Sequence, residues 1–299
     1  MTRLKSFHGK SYEGIKMTTF KDRILEGKVA YVAGGTRSFN LAIAKRFAEQ
    51  GAKVTVMSRT VDRTESAAQE IRDLGGEALG LPGDVRDYDR VYETMKETAE
   101  KFGGIDIVVA GQAGNFYAPA IGMSANAFKS IIDIDLLGTF NVFKASWDFL
   151  RKPGASLMAI TAPEAVRPLP YQTHVCSAKA GVNMLCKVLA LEWGPEGVRV
   201  NGISPGPIED SWGMQNVILK TPGMYDTIRE GTPLRRWGTS NDVSDGALFL
   251  ASEASSYITG TILDVDGGVT IQTTTSEGSK ATDGYEDDPR IRGAGKGDR

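Results

Sequence analysis

Residues 32–44, "VAGGTRSFNLAIA", follow an apolar run and open a helical pattern. A glycine pair at such a junction makes a tight turn. Through it a pyrophosphate can reach a helix N-terminus, where unpaired backbone N–H groups and the helix dipole favour an anion. Gly34 and Gly35 supply the turn, and Thr36, Arg37, Ser38 and Phe39 complete the cradle. Ser38 and Asn40 stand where the usual glycine-rich pattern has further glycines. An acidic residue at the end of the second strand would accept from a ribose 2′-hydroxyl. This chain reads "VMSRT" there, with Ser58 and Arg59. Two guanidinium groups, Arg37 and Arg59, suit a 2′-phosphate through charge-assisted, partly bidentate contacts. The alternative is a pair of solvated surface arginines. The pattern points to NADP as the cofactor. Asp84, followed by Val85 in "GDV", is placed to accept from the adenine amino group.

These residues need a scaffold that brings strand ends together. Near-continuous apolar runs occur at 28–34, 52–58, 104–111, 155–161 and 198–204, and weaker ones at 77–83 and 261–267. Continuous apolar strands are buried on both faces, as in a parallel sheet. Between them lie segments with apolar residues at three- and four-residue spacing, several ending in glycine. The alternation predicts a single-domain α/β fold, a Rossmann-like doubly wound parallel sheet with helices on both faces. The domain is expected over 27–270, after an N-terminal extension at 1–26 and before a polar tail at 271–299. The irregular segment 209–232, with Trp212, is expected to form a substrate lid.

By these stretches the chain resembles the short-chain dehydrogenase/reductase family over residues 27–270. The motifs are "AGGTRSFN", Asp84, "AGQAG" with Ala110 and Gly111, "SAKAG" around Lys179, "PGPI" with Pro205, Gly206 and Ile208, and "DVDGG". It is more closely similar to 2,4-dienoyl-CoA reductases of the peroxisomal type and related bacterial proteins. "AGNFYAPA", "NAFKSIIDIDLLGTFNV", "HVCSAKAGV" and "LEWGPEGVRVN" carry that similarity. The resemblance implies that Lys179 holds the nicotinamide ribose and that Asp135 orients the lysine or an ordered water. Thr161 replaces the usual serine after the fifth strand, to donate to the substrate carbonyl or to satisfy local backbone. Asn115 and Phe116 line the pocket, or serve as turn and core residues. Glu164 and His174 are candidates for substrate polarity or proton relay, a buried structural histidine being the alternative. Tyr171 is a nearby phenol off the motif positions.

Most of the family carries a tyrosine four residues before the lysine, and here that residue is Val175. Ketone reduction needs a proton delivered to oxygen, to which a positioned acid contributes about 10²–10⁴-fold. Conjugate reduction of an unsaturated thioester adds hydride to carbon and spreads charge into a dienolate. Water can supply the final proton to carbon while hydrogen-bond donors stabilise the enolate oxygen. The expected activity is therefore NADPH-dependent reduction of an enoyl or dienoyl thioester, with an acyl-CoA as the implied substrate. The alternatives are an NADP(H)-dependent carbonyl reductase or alcohol dehydrogenase with another acid, and a catalytically silent NADP-binding protein.

Whole-chain properties narrow the partners. The chain of 299 residues has a net charge of -2 and a pI near 5.9, which suits neither nucleic acid nor an acidic membrane. No apolar run reaches the roughly 18–20 residues of a membrane helix. Cys176 and Cys186 lie in one predicted helix, so neither a disulfide nor a metal site is expected, and the cytoplasm is the expected location. Predicted helices at 124–150 and 173–193 are apolar on more than one face, with Ile131, Leu137, Phe140, Met184, Leu185 and Val188. Such helices must be buried somewhere, which predicts a homotetramer or homodimer.

Overall fold

The computed structural model describes residues 20–211, 213–215 and 223–271. Seven strands form one parallel sheet: β1 (Val29–Ala33), β2 (Lys53–Ser58), β3 (Ala78–Pro82), β4 (Ile107–Ala110), β5 (Ser156–Ile160), β6 (Arg199–Pro205) and β7 (Ile262–Val265). Their order is β3-β2-β1-β4-β5-β6-β7. The chain runs outward from β1 in one direction through β2 and β3. It then returns across β1 to build the other half. The C-terminal ends of β1 and β4 therefore border the crevice where open α/β sheets bind ligands.

The two faces of β1 show why its run is apolar throughout. Ala30 and Val32 pack with Ile43 and Phe47 of α1 (Ser38–Glu49), Ala67 and Ile71 of α2 (Val61–Asp73), and the final long helix, Ser240–Ala251. Val29, Tyr31 and Ala33 pack on the opposite side with Met95 of α3 (Tyr88–Phe102), Phe143 and Val182. Side chains alternate across a strand, so a two-sided core requires apolar residues at consecutive positions.

Two expectations need correction. The predicted helix at 124–150 is not continuous. It comprises α4 (Ala125–Ile131), a π-helical turn (Ile132–Leu137), α5 (Gly138–Ser146) and a 3₁₀ turn at Trp147–Phe149. The Thr139 hydroxyl donates to the Asp135 carbonyl at 2.6 Å within the widened turn. Secondly, the packed chain begins before residue 27. Leu25 lies in the core, with Phe20 and Ile24 against it, and its backbone N–H donates to the Gln50 carbonyl at 2.9 Å. Burying a leucine contributes about 1.5–3 kcal/mol, so this stretch is held by the hydrophobic effect despite its polar composition. Residues 1–19 and the tail from 272 lie outside the described residues.

Next along the chain, α6 (Thr173–Trp193) spans 21 residues and buries both Lys179, which reaches the end of β5, and Val175, which packs on Ile131 and Ala178. Two further helices, α7 (Met224–Gly231) and α8 (Ser240–Ala251), complete the described structure. α8 starts on a capping box in which Thr239 and Asp242 satisfy each other's backbone N–H groups.

Candidate active site

The loop after β1 lies tightly against the loop after β4. Gly34 has φ 73°, and a Cβ there would fall 2.7 Å from the Gln112 backbone nitrogen. A side chain at Gly111 would meet Asn40 at 2.6 Å. Asn40, which departs from the glycine pattern, donates from Nδ2 to the Gly111 carbonyl at 2.6 Å. It thus ties α1 to β4. Ser38, the other departure, adopts φ 56°, the left-handed region that favours glycine. Thr36 and Phe39 are half-buried along the same turn. On the far side Gly206 approaches Asp266 so closely that a Cβ would lie 2.5 Å from its Cα. Pro205 ends β6, and Ile208 is buried in the core beyond it.

Charge at the end of β2 is positive. Burial holds the Arg37 guanidinium below its ordinary value, and the nearby Arg63 and Arg59 charges lower it further. Arg63, in the first turn of α2, is a third member that no motif marked; it stands four residues beyond Arg59, which precedes the helix. Asp84 does not present a free carboxylate. Its oxygens accept from the Arg86 guanidinium at 2.6 and 3.0 Å, and that pair holds its carboxyl below the usual range. Val85 is buried, and its carbonyl accepts from Asn141 Nδ2 at 2.9 Å.

Lys179 and Asp135 come together under the ends of β4 and β5. The Lys179 ammonium donates to the Ile160 carbonyl at 2.9 Å and lies 3.3 Å from Asp135 Oδ2. Their side chains are only 5% and 0% exposed. Asp135 Oδ1 accepts from the Gly114 backbone N–H at 2.7 Å, anchoring the loop after Ala110 and Gly111. Gln112 adds a further tie from that loop, its Nε2 donating to the Thr139 hydroxyl at 3.0 Å. The π turn thus holds the Asp135 carboxylate inward while Asp133, two residues earlier, pairs with Lys129; π bulges recur at functional sites. Thr161 directs its hydroxyl proton to Asn183 Oδ1 at 2.6 Å. Neither of the two roles foreseen for Thr161 matches that contact. Asn183, one turn beyond Lys179, was not anticipated; only the four-residue spacing could have marked it.

The remaining foreseen residues separate. Val175 is buried with Ile131 and Ala178, and Phe116 and Leu136 pack against them. His174 is fully buried, its ring centroid 4.1 Å from that of Phe116. Burial pushes its imidazole below the ordinary value, partly offset by the Phe116 carbonyl and the Asp135 carboxylate. Tyr171 is 58% exposed and has φ 67°. Asn115 is exposed and Glu164 half-buried. Burial, and then the Glu164 charge, pushes up the phenol of the neighbouring Tyr117. Trp212 lies outside the described residues, as do residues 216–222 of the foreseen lid.

A nicotinamide dinucleotide fits what is present. The glycine cradles leave no room for side chains, cationic groups stand at one end, and a buried ammonium stands at the other. Among the described residues no cluster suits a metal, and no helix is long and apolar enough to cross a membrane.

Comparison with known proteins agrees with this geometry. Residues 33–270 match the family described as enoyl-(acyl carrier protein) reductase. The peroxisomal 2,4-dienoyl-CoA reductase of Saccharomyces cerevisiae is 38% identical over 255 residues, covering 84% of this chain and 87% of that protein. Its counterpart from Arabidopsis thaliana is 36% identical over 260 residues, with 84% and 87% covered. A short chain dehydrogenase from Bacillus anthracis superposes with a TM-score of 0.74 at 34% identity, covering 83% of this chain and 99% of the other. The chain is an oxidoreductase of the short-chain dehydrogenase/reductase family, within the branch described as enoyl-(acyl carrier protein) reductases.

Proposed function

We propose that the protein is an NADPH-dependent reductase of unsaturated acyl thioesters, acting on 2,4-dienoyl-CoA substrates. The observation that carries this reading is the coexistence of a buried Lys179–Asp135 pair with Val175 inside an apolar cluster. The polar machinery that orients a nicotinamide ribose is present. The phenol that protonates a ketone oxygen is replaced by a methyl-bearing side chain. The relatives named as 2,4-dienoyl-CoA reductases support the same substrate class.

A bound NADPH supplies the hydride. Lys179 holds the ribose and places positive potential beside the developing dienolate, while its bond to the Ile160 carbonyl fixes the ammonium. Asp135 holds Lys179 and orders the water that protonates carbon. The arginines at 37, 59 and 63 favour a 2′-phosphate, which selects NADPH over NADH. The exposed apolar side chains Leu137, Phe140, Met184 and Val188 on α5, α6 and the π turn support a homodimer or homotetramer built on these helices.

The test is NADPH oxidation with a 2,4-dienoyl-CoA, a 2-enoyl-CoA and a panel of simple ketones. Rapid oxidation with the dienoyl thioester supports the proposal. Fast ketone turnover without thioester reduction would instead establish the carbonyl-reductase alternative.

A further inference from the structure

Buried polar atoms are normally hydrogen-bonded, and a cluster of exceptions in one place needs a physical account. Among the described residues, five such atoms without a hydrogen bond surround the loop Gln112–Phe116: Gln112 Oε1, Gln172 Oε1, both ring nitrogens of His174, and Asp135 Oδ2, which is ion-paired to Lys179 at 3.3 Å but not hydrogen-bonded. All four residues are nine-tenths or more buried. Each group left unsatisfied destabilises the fold, and packing alone gives no return for several in one place. A structural histidine would be held by a fixed donor or acceptor. Here the Phe116 carbonyl is close enough to affect the imidazole, yet neither nitrogen meets a partner at hydrogen-bonding geometry.

We propose that His174 and Gln172 form the inner end of a hydrated proton path that resupplies the Asp135–Lys179 pair after each turnover. The inference rests on the dienoyl-reductase reading. The path is short. Gln172 is buried and donates from Nε2 to the Phe116 carbonyl at 3.4 Å, while the adjacent Tyr171 is exposed to solvent. The charged group facing His174 is Asp135, from the π turn; Lys179, on the same helix as His174, is paired to that carboxylate. A neutral imidazole can accept a proton at one nitrogen and release one from the other, which is the action a relay needs.

The balance is one proton per turnover. The hydride pair forms a carbon–hydrogen bond on the dienoyl chain, and the displaced π electrons move to the thioester oxygen. That dienolate then takes a proton on the carbon next to the thioester from the water at Asp135, leaving hydroxide. A proton passed inward from solvent through Gln172-bound water and His174 restores that water. NADP⁺ and the enoyl thioester leave.

The experiment compares pre-steady-state and steady-state NADPH oxidation by the full-length protein with a 2,4-dienoyl-CoA. His174→Phe keeps a planar aromatic ring and removes the relay. It is expected to lower steady-state turnover by roughly tenfold or more. The hydride-transfer burst and NADPH affinity stay near wild type, and the solvent deuterium isotope effect on turnover rises. His174→Gln retains polarity without relaying protons, and is expected to match His174→Phe in turnover at the wild-type melting temperature. Added imidazole should restore turnover to His174→Ala. Wild-type turnover and isotope effect in His174→Phe overturn the relay. So does equal loss of burst and turnover with no imidazole rescue. A wild-type protein that does not oxidise NADPH with the dienoyl thioester overturns the function itself, and the relay with it.

Discussion

Thr161 places its hydroxyl 2.6 Å from Oδ1 of Asn183, while the preceding residue, Ile160, accepts the Lys179 ammonium at 2.9 Å. Two adjacent residues at the end of β5 therefore grip α6 one turn apart. The lysine is held by a bond of its own and by a neighbouring latch. Thr161→Val removes the latch while keeping the shape, and leaves a half-buried amide oxygen without its donor. Turnover should fall severalfold and stability by about 1–3 kcal/mol, with Thr161→Ser near wild type in both. Steady-state kinetics and thermal melts check this; equal behaviour of the valine and serine variants would refute it.

Cofactor choice is expected to follow the arginine group. Arg59→Ala should weaken NADPH binding by about 1.5–3 kcal/mol, roughly tenfold or more, and barely alter NADH. Arg63→Ala should act in the same direction. Dissociation constants for both nucleotides, at low and high salt, test this. An unchanged NADPH affinity in both variants contradicts a 2′-phosphate site.

Installing the absent phenol asks a different question. Val175 is buried beside Ile131 and Ala178, so Val175→Tyr overpacks the site and should cost about 1–3 kcal/mol of stability. If the ring finds room, ketone reduction should rise from background. Dienoyl reduction should not improve, because its protons go to carbon. The two substrate classes assayed on one preparation separate these outcomes.

Acid stability has a local source. Arg236 donates to Asp242 at 2.7 and 2.9 Å and, with the Thr239 backbone, holds its carboxyl down to about 2 against the opposing effect of burial. A depressed carboxyl stabilises the fold above its unfolded value of 3.8, and that contribution disappears as pH falls through about 2. Asp242→Asn should therefore destabilise the protein at neutral pH by about 1 kcal/mol, allowing for the group's partial exposure. Wild type and variant should converge as pH falls from the unfolded value towards the folded one. Melting curves across that range test the sign.

Assembly through α5 and α6 predicts that Val188→Glu lowers the molecular mass in solution. Light scattering at micromolar concentration reads it. A wild-type monomer would rule out these helices as an interface.

The interior strands were the most legible, because a short, wholly apolar run such as "IVVA" fits a strand covered on both faces better than a helix, whereas the edge strands β3 and β7, only partly buried, left weaker runs. The π turn was not legible. Ile131, Ile132, Ile134, Leu136 and Leu137 keep helical spacing around Asp135, and one widened turn leaves no mark in such a pattern. The lysine–carboxylate pair was accessible through its motifs. The positive φ of Tyr171 was not legible either, because nothing in "LPYQ" signals that backbone state. Arg63 and Asn183 each stand four residues from one already singled out, Asn183 along α6 and Arg63 across the start of α2. A count of four would have found them.

Ser38 holds a left-handed φ of 56° without glycine's freedom. Such a conformation costs about 1–2 kcal/mol in the folded chain. A glycine would remove that cost but would sample many more arrangements whenever the loop is not clamped. Serine thus moves part of the ordering penalty from the moment of nucleotide capture to the moment of folding. Affinity and thermal resistance become separable quantities at this single position: Ser38→Gly should relax the folded protein while raising the entropy a nucleotide must remove to organise its cradle.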